Sequence, residues 1–197
     1  EFSGAIFTNL TQDHLDYHET MENYFQAKAR LFQDMPKKNK AMSVFGNDEY
    51  GKRLIASCPA AQPFYLHQKG RADCSCVCTD SPVMHGQLKA NSPAGLIIEH
   101  CYNGMKWELK TPLVGEHNAC NILGVECLAL QLGFSVDDLQ KLSGFEGVPG
   151  RLERIYDSKK DVSYFVDYAH TPDALIHAQD ALRNAGFTRI IPVFGCG

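Results

Sequence analysis

Features that would point to a membrane or to nucleic acid are missing from this 197-residue chain. No apolar stretch approaches the roughly 20 residues that a membrane-spanning helix needs. Basic runs and interleaved aromatic and basic residues are also missing, and the formal net charge is −4. Residues 1–4 lack the basic and apolar regions of a secretory signal peptide. These absences argue against nucleic acid or a membrane as a partner, and the 44% of hydrophobic residues can form a core.

Cysteine is abundant, but zinc-ligand spacing is absent, since there is no C-x-x-C motif and no second ligand pair. Cys74, Cys76 and Cys78 alternate with other residues, which favours one face of a strand. Without an export signal, the remaining five predict free thiols in a reducing, cytoplasmic location. These five are Cys58, Cys101, Cys120, Cys127 and Cys196.

Hydrophobic periodicity and turn residues predict an α/β fold of alternating strands and helices. Strands are expected at 5–10, 40–45, 154–156, 162–166 and 190–194, with a β-prone region at 64–111 that turns at Asn103-Gly104. Helices are expected at 21–35, 48–57, 119–132, from the Ser135 capping box to before Gly144, and 172–184. Glycine and proline in 144–150 predict a linker, which divides the chain into domains at 1–148 and 149–197.

The first predicted helix carries a lysine on its apolar face. Its apolar positions are Met21, Tyr24, Phe25, Leu31, Phe32 and Met35. The three- and four-residue spacing places Lys28 on the same face. An ammonium at such a position must reach solvent along its apolar stem, pair with an acid, or change its charge. The residues alone favour a Lys28 side chain that reaches solvent. The alternative is that Lys28 takes part in metal or phosphate chemistry beside the loop that contains His14.

Two further segments have the residues of a ligand site. Gly115-Glu-His-Asn opens the helix at 119–132, where Asn118 and Asn121 lie one turn apart. Asp167-Tyr-Ala-His-Thr follows a predicted strand and precedes a helix with Thr171 as its N-cap and Pro172 at its first position. Parallel α/β folds bind ligands at the carboxyl ends of their strands. The chain stops at such an end, after 190–194, so we expect both termini to be cut.

Six segments together resemble the Mur ligases, and within that family most closely the MurE branch. In chain order they are 8–18 (TNLTQDHLDYH), 24–28 (YFQAK), 115–121 (GEHNACN), 150–154 (GRLER), 166–174 (VDYAHTPDA) and 193–197 (VFGCG). The resemblance implies the later part of a mixed-sheet P-loop-type ATPase central domain, followed by the start of a Rossmann-like C-terminal domain. The phosphate loop and an Asp-Asn-Pro-Arg motif, both absent here, would then lie outside the chain, and the 197 residues alone would not ligate.

For the metal site, the resemblance implies a catalytic role for Lys28 as a carbamate, formed with CO2. The carbamate and His14 would then hold Mg2+, whereas Asp13, Asp16 and His18 would fix the loop. Carbamylation would also remove the cost of a buried ammonium and supply an oxygen ligand. The resemblance also implies that glycine is common at the position of Glu19, which bears on the geometry of the loop.

For ATP, the resemblance implies contacts from Asn118, Asn121, Arg151, Asp167 and His170, with His117 packing near the base. The alternatives are that Asn118 caps its helix, that Asn121 is structural and that Arg151 is an exposed hinge residue. Thr171 and Asp173 are better explained as helix caps.

The implied reaction is ATP-dependent amide formation through an acyl phosphate. Its partners would be UDP-N-acetylmuramoyl-L-alanyl-D-glutamate and a diamino acid, with meso-diaminopimelate expected and lysine left open, and the protein would be a monomer. The alternatives are a folylpolyglutamate or cyanophycin synthetase-like ligase, or a non-catalytic fragment of the fold.

Overall fold

A mixed six-stranded sheet is the centre of the structure, a computed structural model that describes residues 2–11, 15–34, 40–68, 82–156 and 162–195. Its strands, in both sequence and spatial order, are β1 (Gly4–Phe7), β2 (Ala41–Phe45), β3 (Gln62–Gln68), β4 (Met84–Ser92), β5 (Gly95–Tyr102) and β6 (Met105–Thr111). Strands β1 to β4 pair in parallel, and β5 runs antiparallel to both of its neighbours. Strand β6 therefore ends at the same edge as β1 to β4, which we call the carboxyl edge.

Helices cover both faces of this sheet. On one face, α2 (Met21–Asp34) and α3 (Glu49–Ser57) bury Phe25, Ala29, Phe32 and Leu54 against β1 and β2. On the other, α4 (Glu116–Gln131) packs on β1 to β4 and buries Leu123 and Cys127. A short helix α1 (Leu15–His18) precedes α2, and α5 (Val136–Leu139) continues into a 3-10 helix at Gln140–Gly144. No helix of the described part has both the length and the apolar content to cross a membrane.

A smaller unit follows the predicted linker. Strands β7 (Glu153–Ile155) and β8 (Tyr164–Val166) form an antiparallel pair, and α6 (Pro172–Asn184) follows them. Leu152, Leu182 and Ala185 form a core with Val114, which lies just before α4. This core therefore joins the smaller unit to the start of α4.

Most of the predicted local signals are confirmed. Asn103 and Gly104 both have positive φ, 46° and 75°, and connect β5 to β6 as a tight hairpin. The Ser135 capping box is formed with Asp138, and the Thr171 side chain accepts the N–H of Ala174 at the start of α6. Helix α4 begins at Glu116, three residues before the predicted start, since Gly115 with φ 93° ends the preceding loop.

Three predictions are wrong. Residues 190–194 form no strand and pair with no described strand; Val193 is 93% exposed. Leu31 is exposed rather than buried, because the buried face of α2 is centred on Ala29, one position from Lys28. Cys101 forms a disulfide, whereas Cys58, Cys120 and Cys127 are free as predicted. Cys74, Cys76, Cys78 and Cys196 lie outside the described residues.

Candidate functional site

The start of α4 lies at the carboxyl edge of the sheet. Gln68, the last residue of β3, donates its Nε2 to both carboxylate oxygens of Glu116, at 3.1 and 3.0 Å. Near the end of β4, Asn91 Oδ1 accepts the N–H of Gly115 at 3.1 Å. At the opposite end of α4, Gln131 binds the backbone N–H of Met42 and the hydroxyl of Ser43 near the start of β2. The helix therefore runs back from the carboxyl edge, where α/β folds bind ligands.

Two asparagines and a histidine occupy the first turns of α4. Asn118 donates its Nδ2 to the carbonyl of Val114 at 2.8 Å, so its amide ties the helix start to the preceding loop. Asn118 does not cap the helix, because Gly115 is the N-cap and no side chain caps this end. Asn121 lies one turn further along and is exposed. His117 is exposed overall, although one side of its ring packs over Gly115. Both side chains are therefore open to solvent near the end of α4 that lies at the carboxyl edge.

Asp167 organises the loops of the smaller unit. Its Oδ2 accepts the N–H of Leu152 at 2.7 Å, and its Oδ1 accepts the N–H of Ala169 at 2.8 Å. The N–H of Tyr168 also donates to the carbonyl of Gly150 at 2.8 Å. These bonds hold the loop after β8 against the segment before β7, where Leu152 has a φ of 44°.

Arg151 and His170 lie on the same two loops. The guanidinium of Arg151 is 5.3 Å from the centroid of the Tyr168 ring. His170 packs edge-on against the same ring, with centroids 5.0 Å apart, and its Nδ1 donates to the carbonyl of Tyr168 at 3.0 Å. Tyr168 has no predicted role, although its place in the sequence between Asp167 and His170 marks it as a candidate. In the structure its side chain is 66% exposed.

The start of α4 and the loop after β8 interact through His117 and Asp167. Desolvation lowers the pKa of its imidazole, and the carboxylate of Asp167 raises it, so the two side chains are electrostatically coupled. Ala181 of α6 also approaches Gly115, which precedes α4. The structure thus brings the first turn of α4, with His117, near the loop that carries Asp167. No motif within either segment predicts this coupling, since it depends on the packing of the two units.

The predicted metal residues are only partly within the described residues. Lys28 is half-buried, and its Nζ lies 4.8 Å from the centroid of the Tyr24 ring, which stacks on His18 at 4.6 Å. His14 and Asp13 lie outside the described part, and so does the side chain of Asp16. Among the residues that are described, no three His, Cys, Asp or Glu side chains cluster as metal ligands would.

Comparisons with known proteins identify relatives of both parts of the chain. The Mur ligase middle domain matches residues 1–129, and the glutamate ligase domain of Mur ligases matches residues 150–197. The UDP-N-acetylmuramoyl-L-alanyl-D-glutamate--2,6-diaminopimelate ligase of Lawsonia intracellularis is 49% identical over 196 residues, which are 100% of this chain and 39% of that protein. The ligase of the same name from Fusobacterium nucleatum is 39% identical, over 100% of this chain and 38% of its own length.

Solved structures show the same fold. A diaminopimelate ligase of that name superimposes with a TM-score of 0.72 at 31% identity, over 99% of this chain and 38% of the other. MurF from Acinetobacter baumannii superimposes at 0.70 with 19% identity, over 92% of this chain and 37% of its own length. The chain thus spans about 39% of the length of its curated relatives. Because the middle-domain profile covers well over half of its residues, the chain belongs to the Mur ligase family.

Proposed function

We propose that the protein containing this chain is an ATP-dependent amide ligase that adds a diamino acid to UDP-N-acetylmuramoyl-L-alanyl-D-glutamate. The observation that carries the proposal is the core that Val114, just before α4, forms with Leu152, Leu182 and Ala185 of the smaller unit. The names of the relatives support the substrate, and meso-diaminopimelate is the amino acid in those names. The match at 49% identity favours this reaction over a folylpolyglutamate or cyanophycin synthetase-like one.

The proposed reaction has two steps. A carboxylate oxygen of the dipeptide attacks the γ-phosphorus of ATP, ADP leaves, and an acyl phosphate forms. The amine nitrogen then attacks the acyl carbon, phosphate leaves, and the nitrogen gives up a proton. Such a reaction needs positioning and charge neutralisation more than covalent chemistry from the protein.

The described residues suit one side of a nucleotide site. Asn121 offers an exposed amide, together with that of Asn118, beside the exposed ring of His117. Arg151 offers a cation to phosphate, and Asp167 offers carboxylate oxygens to ribose hydroxyls. Asp167 already accepts two backbone N–H groups, and a carboxylate has lone pairs for further donors. His170 lies beside it on the same loop as a further nucleotide contact.

We also propose that His14 and a carbamylated Lys28 are ligands of Mg2+. When bound, Mg2+ would neutralise phosphate charge. The contact between Lys28 Nζ and the Tyr24 ring suits an ammonium, so carbamylation would exchange this contact for a metal bond. No reaction step is assigned to these two residues on the described geometry.

We further propose that the protein is a cytoplasmic monomer, with no membrane or nucleic-acid partner, and that its domains divide at 148/149. The two family profiles leave residues 130–149 between them, which contain α5 and the 3-10 helix. This interval supports a division in that region.

The reaction is tested with the complete gene product that contains these 197 residues. The purified protein is incubated with UDP-N-acetylmuramoyl-L-alanyl-D-glutamate, Mg2+ and either meso-diaminopimelate or L-lysine, and the tripeptide product is measured by mass spectrometry. We expect product with diaminopimelate only when ATP is present, and none from the isolated 197 residues. The proposal fails if the complete protein forms no tripeptide from either amino acid.

The nucleotide contacts are tested in the same assay. Asp167→Asn and Asn121→Ala should each raise the KM for ATP by roughly 10-fold or more, as expected for loss of a hydrogen bond in a polar site. Asp173→Asn at the start of α6 is the matched control and should leave the KM unchanged. If all three variants have the same KM for ATP as the parent, Asp167 and Asn121 do not contact the nucleotide.

The carbamate is tested by intact mass after bicarbonate incubation and chemical trapping of carbamates. We expect the mass of one carboxyl group on Lys28, and its absence in Lys28→Arg. A complete, active protein with an unmodified Lys28 would refute the carbamate while leaving the ligase proposal in place.

A further inference from the structure

One arginine of the smaller unit binds the main chain of the six-stranded sheet. Arg154 on β7 donates its Nη1 to the carbonyl of Pro93, in the turn between β4 and β5. The same guanidinium donates its Nη2 to the hydroxyl of Ser163 at 2.8 Å. Arg154 ends the segment 150–154, in which Arg151 is the proposed phosphate contact, and the proposed ligase reaction gives Arg154 no role.

The guanidinium of Arg154 is held on several sides. It lies 4.8 Å from the centroid of the Tyr156 ring and 5.8 Å from that of Phe165, which faces Arg154 across the β7–β8 pair. Its Nε is buried and has no hydrogen-bond partner among the described residues. Burial of an unpaired donor is unfavourable, so the hydrogen bonds to Pro93 and Ser163 must offset that cost.

The turn that receives Arg154 is held by its own contacts. The Ser92 hydroxyl accepts the N–H of Ala94 and donates to the carbonyl of Gly95, both at 3.3 Å. Gly95 has a φ of 118°, and a Cβ on it would lie 2.0 Å from the carbonyl oxygen of Thr111 on β6. Residues 92–95, which we call the β4–β5 turn, therefore present the Pro93 carbonyl from a well-fixed backbone.

The end of α6 meets the same turn. Gly186 follows α6, and a Cβ on it would lie 3.6 Å from Cδ of Pro93. Asn91, just before the turn, accepts the N–H of Gly115 at the start of α4. The β4–β5 turn thus contacts the smaller unit at two places, while the adjacent end of β4 holds the start of α4.

The hydrogen bond of Arg154 adds direction to the docking of the two units. Burial of apolar surface, as in the core around Val114, is a non-directional attraction. A hydrogen bond has a preferred geometry, and this one ties the β7–β8 pair to the β4–β5 turn. Asp167 directly follows β8, so its loop moves with that pair. We propose that Arg154 is a positioning residue for ATP binding, which holds the smaller unit in the orientation that places the Asp167 loop beside the start of α4.

This role rests on the proposed ATP-dependent reaction. When only a fraction of the molecules has the binding-competent orientation, the apparent affinity for ATP falls by that fraction. Loss of a hydrogen bond from a charged donor is enough to lower the fraction roughly 10-fold. Bound ATP contacts both units and restores the orientation, so the chemical step keeps its rate. Loss of Arg154 should therefore raise the KM for ATP and leave kcat nearly unchanged.

The kinetic test uses the complete gene product in the tripeptide assay. Arg154→Met keeps a long side chain against the two rings but removes every donor, and should raise the KM for ATP roughly 10-fold with kcat within about 2-fold of the parent. Arg154→Lys retains a cationic donor for the Pro93 carbonyl and should recover most of the loss. Arg183→Met on the exposed surface of α6 is the matched control and should leave both constants unchanged.

A merely structural arginine gives a different result. Arg154→Met would then lower the Tm in thermal unfolding but leave the KM for ATP at the parent value, which would overturn the proposal. A KM in Arg154→Lys as high as in Arg154→Met, or an equal rise in Arg183→Met, would also overturn it.

The orientation is measured without ligation. Residual dipolar couplings of backbone N–H groups in the 197-residue chain report how α6 is oriented relative to β1–β6. We expect one alignment tensor to fit both units in the parent, in Arg154→Lys and in Arg183→Met, and separate tensors in Arg154→Met. One common tensor in Arg154→Met, or separate tensors in the parent, would overturn the role of Arg154 and leave the ligase proposal in place. If the complete protein forms no tripeptide, the ligase proposal fails, and the couplings still decide whether Arg154 orients the units.

If Arg154→Met does not fold, the guanidinium resonances of Arg154 in the parent chain decide the question. Hydrogen bonds from both Nη1 and Nη2 slow the rotation of these groups, so we expect separate resonances for the two nitrogens. A single averaged resonance would show that the contact with Pro93 does not persist in solution and would overturn the proposal.

Discussion

At the residue scale, the core contains a buried polar contact between a carboxylate and an imidazole. His100 Nε2 and Glu126 Oε2 are 2.8 Å apart, and both side chains have no exposed surface. Trp107 stacks on His100 at 5.1 Å, and its Nε1 approaches Glu126 Oε1 at 3.5 Å. Nδ1 of His100 has no hydrogen-bond partner among the described residues, so the carboxylate is its ring's main polar contact.

Glu126→Ala should lower the free energy of unfolding by about 3–5 kcal/mol, because it leaves a buried imidazole without its partner. Combining Glu126→Leu with His100→Leu should recover much of this loss, since an apolar pair avoids the desolvation cost. Urea denaturation measures both values, and Glu116→Ala at the exposed contact with Gln68 is the control. A loss below about 1 kcal/mol for Glu126→Ala would show that the contact is dispensable.

Glu19 has a backbone conformation that is unusual for a residue other than glycine. Its φ is 63°, in the left-handed region that disfavours side chains, and this is the position where the family resemblance implies glycine. Glu19→Gly should therefore raise the free energy of unfolding by about 0.5–1 kcal/mol, the relief of strain exceeding the entropy cost of glycine.

Glu19→Ala is the control for this prediction, because alanine removes the carboxylate but retains the strained Cβ. Chemical denaturation should find Glu19→Gly more stable than both the parent and Glu19→Ala. Lower stability of the glycine variant would show that the side chain of Glu19 contributes more than its backbone costs.

At the element scale, the packing of α3 against the end of β2 depends on a glycine. A Cβ on Gly51 would lie 1.9 Å from the carbonyl oxygen of Phe45, which is backbone and cannot turn away. Gly51→Ala should therefore destabilise the protein by about 1–3 kcal/mol despite the better helix propensity of alanine. Gly144→Ala, where nothing lies within 4 Å, is the matched control and should have little effect on the denaturation midpoint.

The sequence predicts well those caps and turns that depend on residues close together in the chain. The Ser135 capping box, the Thr171 cap and the Asn103-Gly104 turn each depend on residues within four positions, and all three are confirmed. The strand expected at 190–194 is wrong because an apolar run becomes a strand only when another strand pairs with it. The burial of Lys28 is also hard to predict from the sequence. The buried face of α2 is centred on Ala29, and a difference of one residue determines whether Lys28 enters the core.

At the scale of the whole molecule, the candidate site depends on a contact between two units that are distant in sequence. Sequence motifs identified Asn118, Asn121, Arg151, Asp167 and His170 separately, through resemblance to a family. The shared core of Val114 with Leu152, Leu182 and Ala185 then brings the second unit to the start of α4. Such a contact has no local signal, because it results from apolar surfaces that meet only after both units have formed.

This docking makes a prediction about His117. The carboxylate of Asp167 raises the pKa of the His117 imidazole, against the lowering caused by desolvation. Asp167→Asn removes the negative charge and keeps the size of the side chain, so the pKa of His117 should fall further below its ordinary value. The measurement is an NMR titration of the His117 ring protons from mildly acidic to neutral pH.

Asp173→Asn is the control, because this carboxylate lies on the first turn of α6 and is not among the groups that shift His117. It should leave the titration of His117 unchanged. If Asp167→Asn also leaves it unchanged, the second unit does not hold its loop beside α4 in solution, and the two halves of the nucleotide site do not meet in the isolated chain. If the pKa falls only in Asp167→Asn, the packing around Val114 is sufficient to assemble them without ATP.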